Sequence, residues 1–411
     1  MKESTSNFSY FYRYCNRLKK YRRKYFFERL DELRWNERYS VTKLFKWIKE
    51  DAGFTLSWTL SILLQIRAYG SSIRREYGQS YWSQIKRLMY VRFVLRKSHR
   101  HFRTRLLFKS NSWKQVNDFV LDHFLAQKEL IQLSSASEFD IINNKFKFYQ
   151  YCISKEIPTP AIFAVIEKGG ITFQEFKQLI PEASFFIKNL ADGKGKRTRK
   201  FEFIEGNFFD SRKEIHSFES LKKSLTAMSV SEGSIVIQPL LKNHSSWIKY
   251  TSGSLATCRI VTARTPENGN IIPLFCCLRM PVGDSDADNY SLGGIITPID
   301  VKTGRMGVGV TLKPIDGKFE FTRHPGTHHQ FDGEILPQWQ ELLNFTLDVH
   351  SHFQTIFVGW DVSYTSDGCS LIEGNVGWAS GSYEIPFQDS LKNTAYPELF
   401  EKWMEKYESR A

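Results

Sequence analysis

Hydrophobic residues in the first third of the chain recur at helical spacing. In the segment 41–49, apolar residues return every three or four positions, and few Gly or Pro interrupt residues 1–130. Side chains three and four positions apart share one face of a helix. The pattern therefore predicts a helical region over residues 1–130.

The pattern changes after the polar stretch 134–137. Shorter apolar runs with more Gly and Pro then alternate with helical segments such as 145–155, 173–180 and 339–353. Mixed patterns of this kind are typical of strands and helices in one domain. The sequence predicts an α+β protein preceded by a helical region.

Two apolar runs near the carboxyl end finish in oxygen-bearing side chains. The first ends at Asp361, the second contains Glu373 and Asn375, and Ser366-Asp367-Gly368 lies between them. A hairpin with a three-residue loop and Gly at its left-handed position pairs Asp361 with Glu373 and puts all three side chains on one face. A two-residue turn would instead set Asp361 opposite Gly374 and turn it to the other face.

Two carboxylates and an amide oxygen held close together suit a hard cation such as Mg²⁺. Without a cation, the like charges would push one carboxylate toward protonation. The alternative is that Asp-Gly is an ordinary turn and that the carboxylates are solvated.

Composition adds limits to this picture. The 411 residues are 41% hydrophobic, 25% charged and 15% aromatic, as in a globular protein. Six scattered Cys, including Cys276 and Cys277 in an apolar run, indicate reduced thiols and a cytoplasmic location. The segment 54–66 is too short and polar to span a bilayer, and the polar start of the chain argues against a secretory signal.

Net positive charge is confined to the helical third. Residues 1–130 hold 28 Lys and Arg against 11 Asp and Glu, whereas the remainder holds 29 against 33. The basic region would attract an anionic partner, such as nucleic acid, lipid headgroups at the inner membrane surface or an acidic polysaccharide carrier, and no clear nucleic-acid motif is present. A solvated basic face without a partner is the alternative.

A strand with one lysine runs into a Gly/Lys loop. Lys188 ends the run Phe185–Lys188, and Gly193, Lys194 and Gly195 follow it. Gly lets backbone N–H groups approach phosphate oxygens, and Lys adds a compact charge, although the Walker spacing is absent. The alternative is an ordinary exposed hairpin.

Two further strands carry single arginines. Arg259 and Arg279 are each the only cation of an apolar run, and guanidinium forks match phosphate or carboxylate oxygens. The alternative is a structural arginine paired with Asp288 or another carboxylate. The histidines of 324–329 have no familiar zinc spacing and are interpreted as part of a substrate-side or surface loop.

The order of these elements resembles an ATP-grasp domain over residues 140–400. More narrowly, the segments 237–244, 259–262, 278–279 with 288–289 and 293–294, and 359–361 resemble the sugar-transfer-associated ATP-grasp family. The resemblance implies two α+β subdomains that enclose ATP, at 131–240 with the phosphate loop and at 241–411 with the Mg²⁺ site.

The resemblance also implies roles for individual residues. Phosphate contacts fall to Lys145, Lys188 and the loop residues Gly193, Lys194 and Gly195. Adenine is framed by Gln238 and the backbone of Leu240 and Leu241. Mg²⁺ is held by Asp361, Glu373 and Asn375, while Arg279 and Arg259 meet the γ-phosphate and the carboxylate being activated. The loop 192–197 departs from many ATP-grasp loops in having fewer Gly and more cations.

The function implied is an ATP- and Mg²⁺-dependent carboxylate–amine ligase in polysaccharide or sugar-linked biosynthesis. It would use small or carrier-linked carboxylate and amine substrates and form an acyl phosphate. Two alternatives remain open. One is phosphoryl transfer to a hydroxyl on the same fold, and the other is a non-catalytic module that binds nucleotides or anions.

Overall fold

The computed structural model describes residues 41–95, 98–120, 136–167, 178–190, 199–210, 213–283 and 293–409. Helices dominate its start and recur later in the chain. In chain order the α-helices are α1 Val41–Tyr77, α2 Tyr81–Met89, α3 Arg100–Thr104, α4 Ser110–Lys114, α5 Ala136–Asn143, α6 Lys145–Ser154, α7 Phe218–Glu232, α8 Trp339–Ser351, α9 Gly381–Phe387 and α10 Tyr396–Glu408. Within the described residues, no helix is long and apolar enough to cross a membrane.

Two antiparallel sheets accompany these helices, which confirms the predicted α+β class. The strands are β1 Ala164–Ile166, β2 Phe185–Asn189, β3 Arg199–Ile204, β4 Asn207–Asp210, β5 Ile215–His216, β6 Ile235–Pro239, β7 Thr257–Arg264, β8 Ile271–Met280, β9 Ile295–Ile299, β10 Gly309–Ile315, β11 Lys318–Phe321, β12 Phe357–Thr365 and β13 Gly368–Asn375. The first sheet has the order β1-β6-β2-β3-β4-β5, and the second has the order β11-β10-β9-β8-β7-β12-β13.

The first sheet buries one face against α7. Ser217 begins this helix by accepting a hydrogen bond from the backbone N–H of Ser220, and Gly233 at a φ of 92° ends it. The apolar side of α7 covers alternate residues of the central strands. The resulting core includes Phe185, Ile187, Ile235, Ile237, Leu221, Leu225 and Met228.

The second sheet is backed by α8 through a buried polar chain. Trp360 Nε1 donates to Thr262 Oγ1 at 2.9 Å, Thr262 lies 2.6 Å from His350 Nδ1, and His350 Nε2 lies 2.7 Å from the Thr355 carbonyl. Burial lowers the pKa of His350 to about 4. The neutral imidazole therefore donates through Nε2 and accepts at Nδ1, so each ring nitrogen has a partner.

Contacts divide the chain into two compact units. The first comprises residues 1–126, 313–319 and 379–411, and the second comprises 127–312 and 320–378. Both predicted subdomains therefore contribute to the second unit, while the tail after residue 378 joins the helical region. The boundary at residue 240 stays a prediction.

A buried ion pair joins distant segments of the first unit. Arg105 Nη2 lies 3.1 Å from Glu384 Oε2, and the exposed fractions of the two side chains are 1% and 0%. The Val120 N–H donates to Glu384 Oε1 at 2.6 Å, and the Ser380 hydroxyl donates to Oε2 at 3.2 Å. We call this group the closed pair, since the carboxylate accepts hydrogen bonds at both oxygens and neither side chain reaches solvent.

Candidate functional site

Charged side chains form a line across the second sheet. Asp361 in β12 pairs with Arg259 on β7 and with Glu373 on β13. Arg259 in turn pairs with Cys277, and Arg279 lies two residues further along β8 on the same face. We call Arg279, Arg259, Asp361 and Glu373 the charged row.

The pairing of Asp361 with Glu373 is confirmed, but the predicted three-residue loop is wrong. Only Ser366 and Asp367 separate the paired residues Thr365 and Gly368. A register shift after Asp361 adds one residue on β13 and restores the predicted pairing. The metal-capable residues therefore share a face through a bulge, which the sequence analysis did not anticipate.

Asp361 is buried between the two arginines. Arg259 donates to it through Nε and through Nη2, the latter at 2.8 Å, and Arg279 Nη1 donates at 3.1 Å. Burial would raise the pKa of Asp361, but both guanidinium groups outweigh burial and hold the pKa at about 2. Among the described residues, Asp361 is thus a carboxylate partner of both arginines, and Asp288 lies outside these residues.

Glu373 experiences the opposite balance. Burial and the neighbouring Asp361 carboxylate raise its pKa, and the positive charges of Lys188 and Arg259 only partly counter them. The two carboxyl groups belong to residues that pair across β12 and β13. Two neighbouring buried carboxyl groups, one with a raised pKa, are a site where a cation could offset the negative charge.

Asn375 completes the predicted metal set on β13. Its Nδ2 donates to Glu373 Oε1 at 3.4 Å and to the Gly359 carbonyl at 3.3 Å. Its amide oxygen, with the two carboxyl groups, supplies the oxygen donors that Mg²⁺ prefers. The three side chains therefore fit Mg²⁺ by their chemistry, and their assignment as metal ligands stays a prediction.

Gly359 leaves the space that Arg259 occupies. A Cβ at this position would lie 3.2 Å from Arg259 Cδ, 3.3 Å from Arg259 Nη1 and 3.3 Å from the Cβ of buried Trp378. A side chain here would push the guanidinium away from Asp361. Gly359 is part of the Gly359-Trp360-Asp361 motif, and no role for this glycine was predicted from the sequence.

Lys188 lies on the face of the first sheet that is opposite the α7 core. Phe186 shares this face, because it lies two residues away on β2, and so does Gln238, because it pairs with Phe186 across β6. Lys188 Nζ stands 5.5 Å from the centre of the Phe186 ring. Its influence on the pKa of Glu373 places its charge near the charged row.

The other predicted nucleotide contacts fall into two groups. Leu240 and Leu241 follow β6 and are half-buried, with the Leu240 N–H donating to the Ser184 carbonyl at 3.3 Å. Lys145 begins α6 directly after its cap Asn144. The loop residues Gly193, Lys194 and Gly195 lie outside the described residues, so these assignments remain predictions.

The electrostatic sum of the site is positive. Lys188, Arg259 and Arg279 supply three positive charges against at most two negative charges from Asp361 and Glu373. Such a balance attracts polyphosphates. Phe186 was not singled out from the sequence, although its position two residues before Lys188 in an alternating strand places both on one face.

The histidine loop does not form a metal site within the described residues. His324 is fully buried, its Nε2 lies 2.9 Å from the Pro281 carbonyl, and its Nδ1 accepts from the N–H groups of Gly326 and Thr327. His329 Nε2 pairs with Glu334 at 2.9 Å. His324 thus holds the loop against the end of β8, where Arg279 lies.

Comparisons with known proteins bear on the fold. The sequence profile of the family described as "Sugar-transfer associated ATP-grasp" matches residues 127–397. No curated protein matches the chain significantly.

Several solved structures resemble the chain at low sequence identity. A D-cycloserine synthetase is 9% identical, with 67% of this chain and 73% of that chain covered and a TM-score of 0.38. For a D-alanine–D-alanine ligase from Bacillus anthracis the values are 11%, 71%, 81% and 0.38. For an N5-carboxyaminoimidazole ribonucleotide synthetase in an ADP complex they are 7%, 69%, 57% and 0.40.

Proposed function

Because the chain belongs to the sugar-transfer associated ATP-grasp family, we propose that it is an ATP- and Mg²⁺-dependent ligase that joins a carboxylate to an amine. The carboxylate would be activated as an acyl phosphate. The observation that carries this proposal is the charged row, in which Arg259 and Arg279 converge on Asp361 beside the buried carboxyl group of Glu373, whose pKa is raised.

Lys188 and the two arginines would have different roles at the site. Lys188 lies on the first sheet beside Phe186 and Gln238, so we assign it to the phosphates and Gln238 to the adenine edge. Asp361 accepts hydrogen bonds from two nitrogens of Arg259 and from one nitrogen of Arg279. Arg259 would therefore mainly fix the position of Asp361, and Arg279 would contact the γ-phosphate and the substrate carboxylate.

Asp361, Glu373 and Asn375 would hold Mg²⁺. When bound, the ion would offset phosphate charge. Without the ion, burial and the Asp361 carboxylate raise the pKa of Glu373, and a bound cation would counter this rise and favour both carboxylates as ligands. Asn375 would stay in place through its bond to the Gly359 carbonyl, while Arg259 and Arg279 would keep Asp361 ionised.

The family description is the ground for placing the substrates among sugar-linked carboxylates and amines. Attack of the carboxylate on the γ-phosphate would form an acyl phosphate and release ADP. Attack of the amine then expels inorganic phosphate and forms the amide. The reaction needs no protein nucleophile, because the cationic side chains and the backbone of the site would position the reacting groups.

The test is ADP release across a panel of carboxylic acids, sugar acids included, with and without an amine. Hydroxylamine should trap the activated acid as a hydroxamate in a reaction that requires ATP and Mg²⁺. Lys188→Met should weaken Mg-ATP binding at least tenfold by calorimetry, since it removes a positive charge that we assign to the phosphates.

Lys213→Met is the matched control, because the Lys213 side chain is 80% exposed and its Nζ lies 4.0 Å from Glu202 Oε2. This variant should bind Mg-ATP normally. A stable phosphorylated product that forms without an amine would contradict the ligase proposal in favour of phosphoryl transfer. Undetectable Mg-ATP binding would contradict both reactions.

A further inference from the structure

The helices α1 and α2 of the first unit carry large apolar side chains that point to solvent. Leu60, Leu63 and Leu64 are 52%, 55% and 53% exposed, and Trp82 is 65% exposed. The other sides of the same helices are packed, since Ile62, Ile73 and Leu88 are buried. The exposed residues are therefore a distinct surface of folded helices.

Helical spacing gathers these residues into two stripes. Leu60, Leu63, Leu64 and Arg67 lie three, four and seven positions apart on α1, and Arg74 follows seven positions after Arg67. Trp82, Lys86 and Met89 lie four and seven positions apart on α2, where Met89 is 47% exposed. We call these residues together the leucine face.

Contacts between the helices connect the two stripes. The Arg74 guanidinium lies 5.4 Å from the centre of the Tyr81 ring at the start of α2, and Lys86 Nζ lies 5.6 Å from the Trp82 ring. Gln84 Nε2 donates to the Gly70 carbonyl at 3.0 Å. The leucine face thus lies on two helices that pack against each other, with cations beside its apolar side chains.

Charge on the two helices of the leucine face is mostly positive. Residues 59–89 contain five Lys and Arg against only Glu76. Exposed apolar side chains bordered by aromatic rings and cations match the layered chemistry of a membrane surface, which has acyl chains below anionic headgroups. We propose that the leucine face docks the protein on an anionic lipid surface.

Leucines distinguish this occupant from nucleic acid. A phosphate backbone would be bound by Arg67, Arg74 and Lys86 alone, and three half-exposed leucines would gain nothing from it. Removal of their apolar area from water requires an acyl layer or another apolar surface. This proposal does not depend on the ligase chemistry, because none of the residues of the charged row takes part.

The experiment is co-flotation of the full chain with vesicles of phosphatidylcholine, alone or mixed with phosphatidylglycerol. The protein should float with the mixed vesicles only, and added salt should weaken the interaction. Leu63→Gln combined with Leu64→Gln should lower vesicle affinity about tenfold, because two apolar side chains no longer leave water.

Ile335→Gln is the matched control, since Ile335 is 55% exposed but belongs to the second unit. It should leave vesicle binding unchanged. Brominated acyl chains should also quench tryptophan emission on binding, and Trp82→Phe should remove most of that quenching. This second measurement reports insertion in a protein with its leucines intact.

Three outcomes would overturn the proposal. One is equal loss of binding in Ile335→Gln and in the double leucine variant. Another is binding to duplex RNA or an acidic protein with no lipid binding. The third is that the wild-type protein forms a dimer in solution and does not bind vesicles, while the double leucine variant is a monomer.

Discussion

The charged row and the closed pair both bury carboxylates beside arginines, but only one of them is complete. Glu384 accepts hydrogen bonds from Arg105, the Val120 N–H and the Ser380 hydroxyl, and no charge is left over. In the charged row, by contrast, both arginines pair with Asp361, and the neighbouring Glu373 carboxyl group has a raised pKa. A closed arrangement serves stability, whereas an incomplete one has capacity for a ligand.

The largest expected effect comes from Glu373→Gln. ADP release should fall at least about a thousandfold, because a carboxylate needed beside the phosphates is lost. The free energy of unfolding should stay constant or rise, since burial and Asp361 both disfavour the Glu373 anion. ADP assays and denaturant unfolding check the two parts, and a loss of stability without loss of activity would contradict the contrast.

The same substitution in the closed pair should act in reverse. Glu384→Gln should lower the free energy of unfolding of the first unit by about 3 kcal/mol, because it leaves Arg105 buried without an anion. Hydrogen exchange in peptides of this unit measures the effect. Mg-ATP affinity should remain within twofold of wild type, and a large loss of affinity at full stability would disprove the assignment.

Acid should weaken the backing of the charged row. Burial holds the pKa of His350 at about 4, below its ordinary value of 6.5, so the unfolded chain binds a proton more readily between these values. Stability is therefore present above pH 6.5 and falls by about 1 kcal/mol near pH 5.5. Urea unfolding from pH 7 to pH 5 should show this slope, and His350→Gln should flatten it while lowering stability at pH 7.

Gly359→Ala should have a smaller effect on activity than Glu373→Gln. The added Cβ lies 3.2 Å from Arg259 and beside buried Trp378, so the guanidinium must shift away from Asp361. We expect about a tenfold loss of ADP release with about 1 kcal/mol of lost stability. Steady-state kinetics would show the loss in kcat, and an unchanged kcat would mean that Arg259 does not need its observed position.

Local pattern was sufficient to predict much of this site. Alternation along β12 and β13 puts Asp361, Glu373 and Asn375 on one face once their pairing is known, and the predicted pairing is confirmed. The α+β class followed from the change of pattern after residue 137. These features depend on neighbours within a few residues.

Other features depend on distant parts of the chain. The partner of Arg259 and Arg279 is decided by the registers of β7, β8 and β12 together, so the sequence left Asp288 as an equal alternative. The closed pair joins residues 279 positions apart. Loop length and bulge in the hairpin shift the register by one residue each in opposite directions, and pattern reasoning detected neither.

The bulge also separates the hairpin tip from the chemistry. Asp361 is placed by its pairing with Arg259 on β7, and the extra residue of β13 lies between the tip and Glu373. Insertions at Ser366 and Asp367, which are exposed, should therefore be absorbed before they reach the active face. The tip offers an attachment point for a fluorescent reporter that would follow ligand binding without altering the residues that carry it.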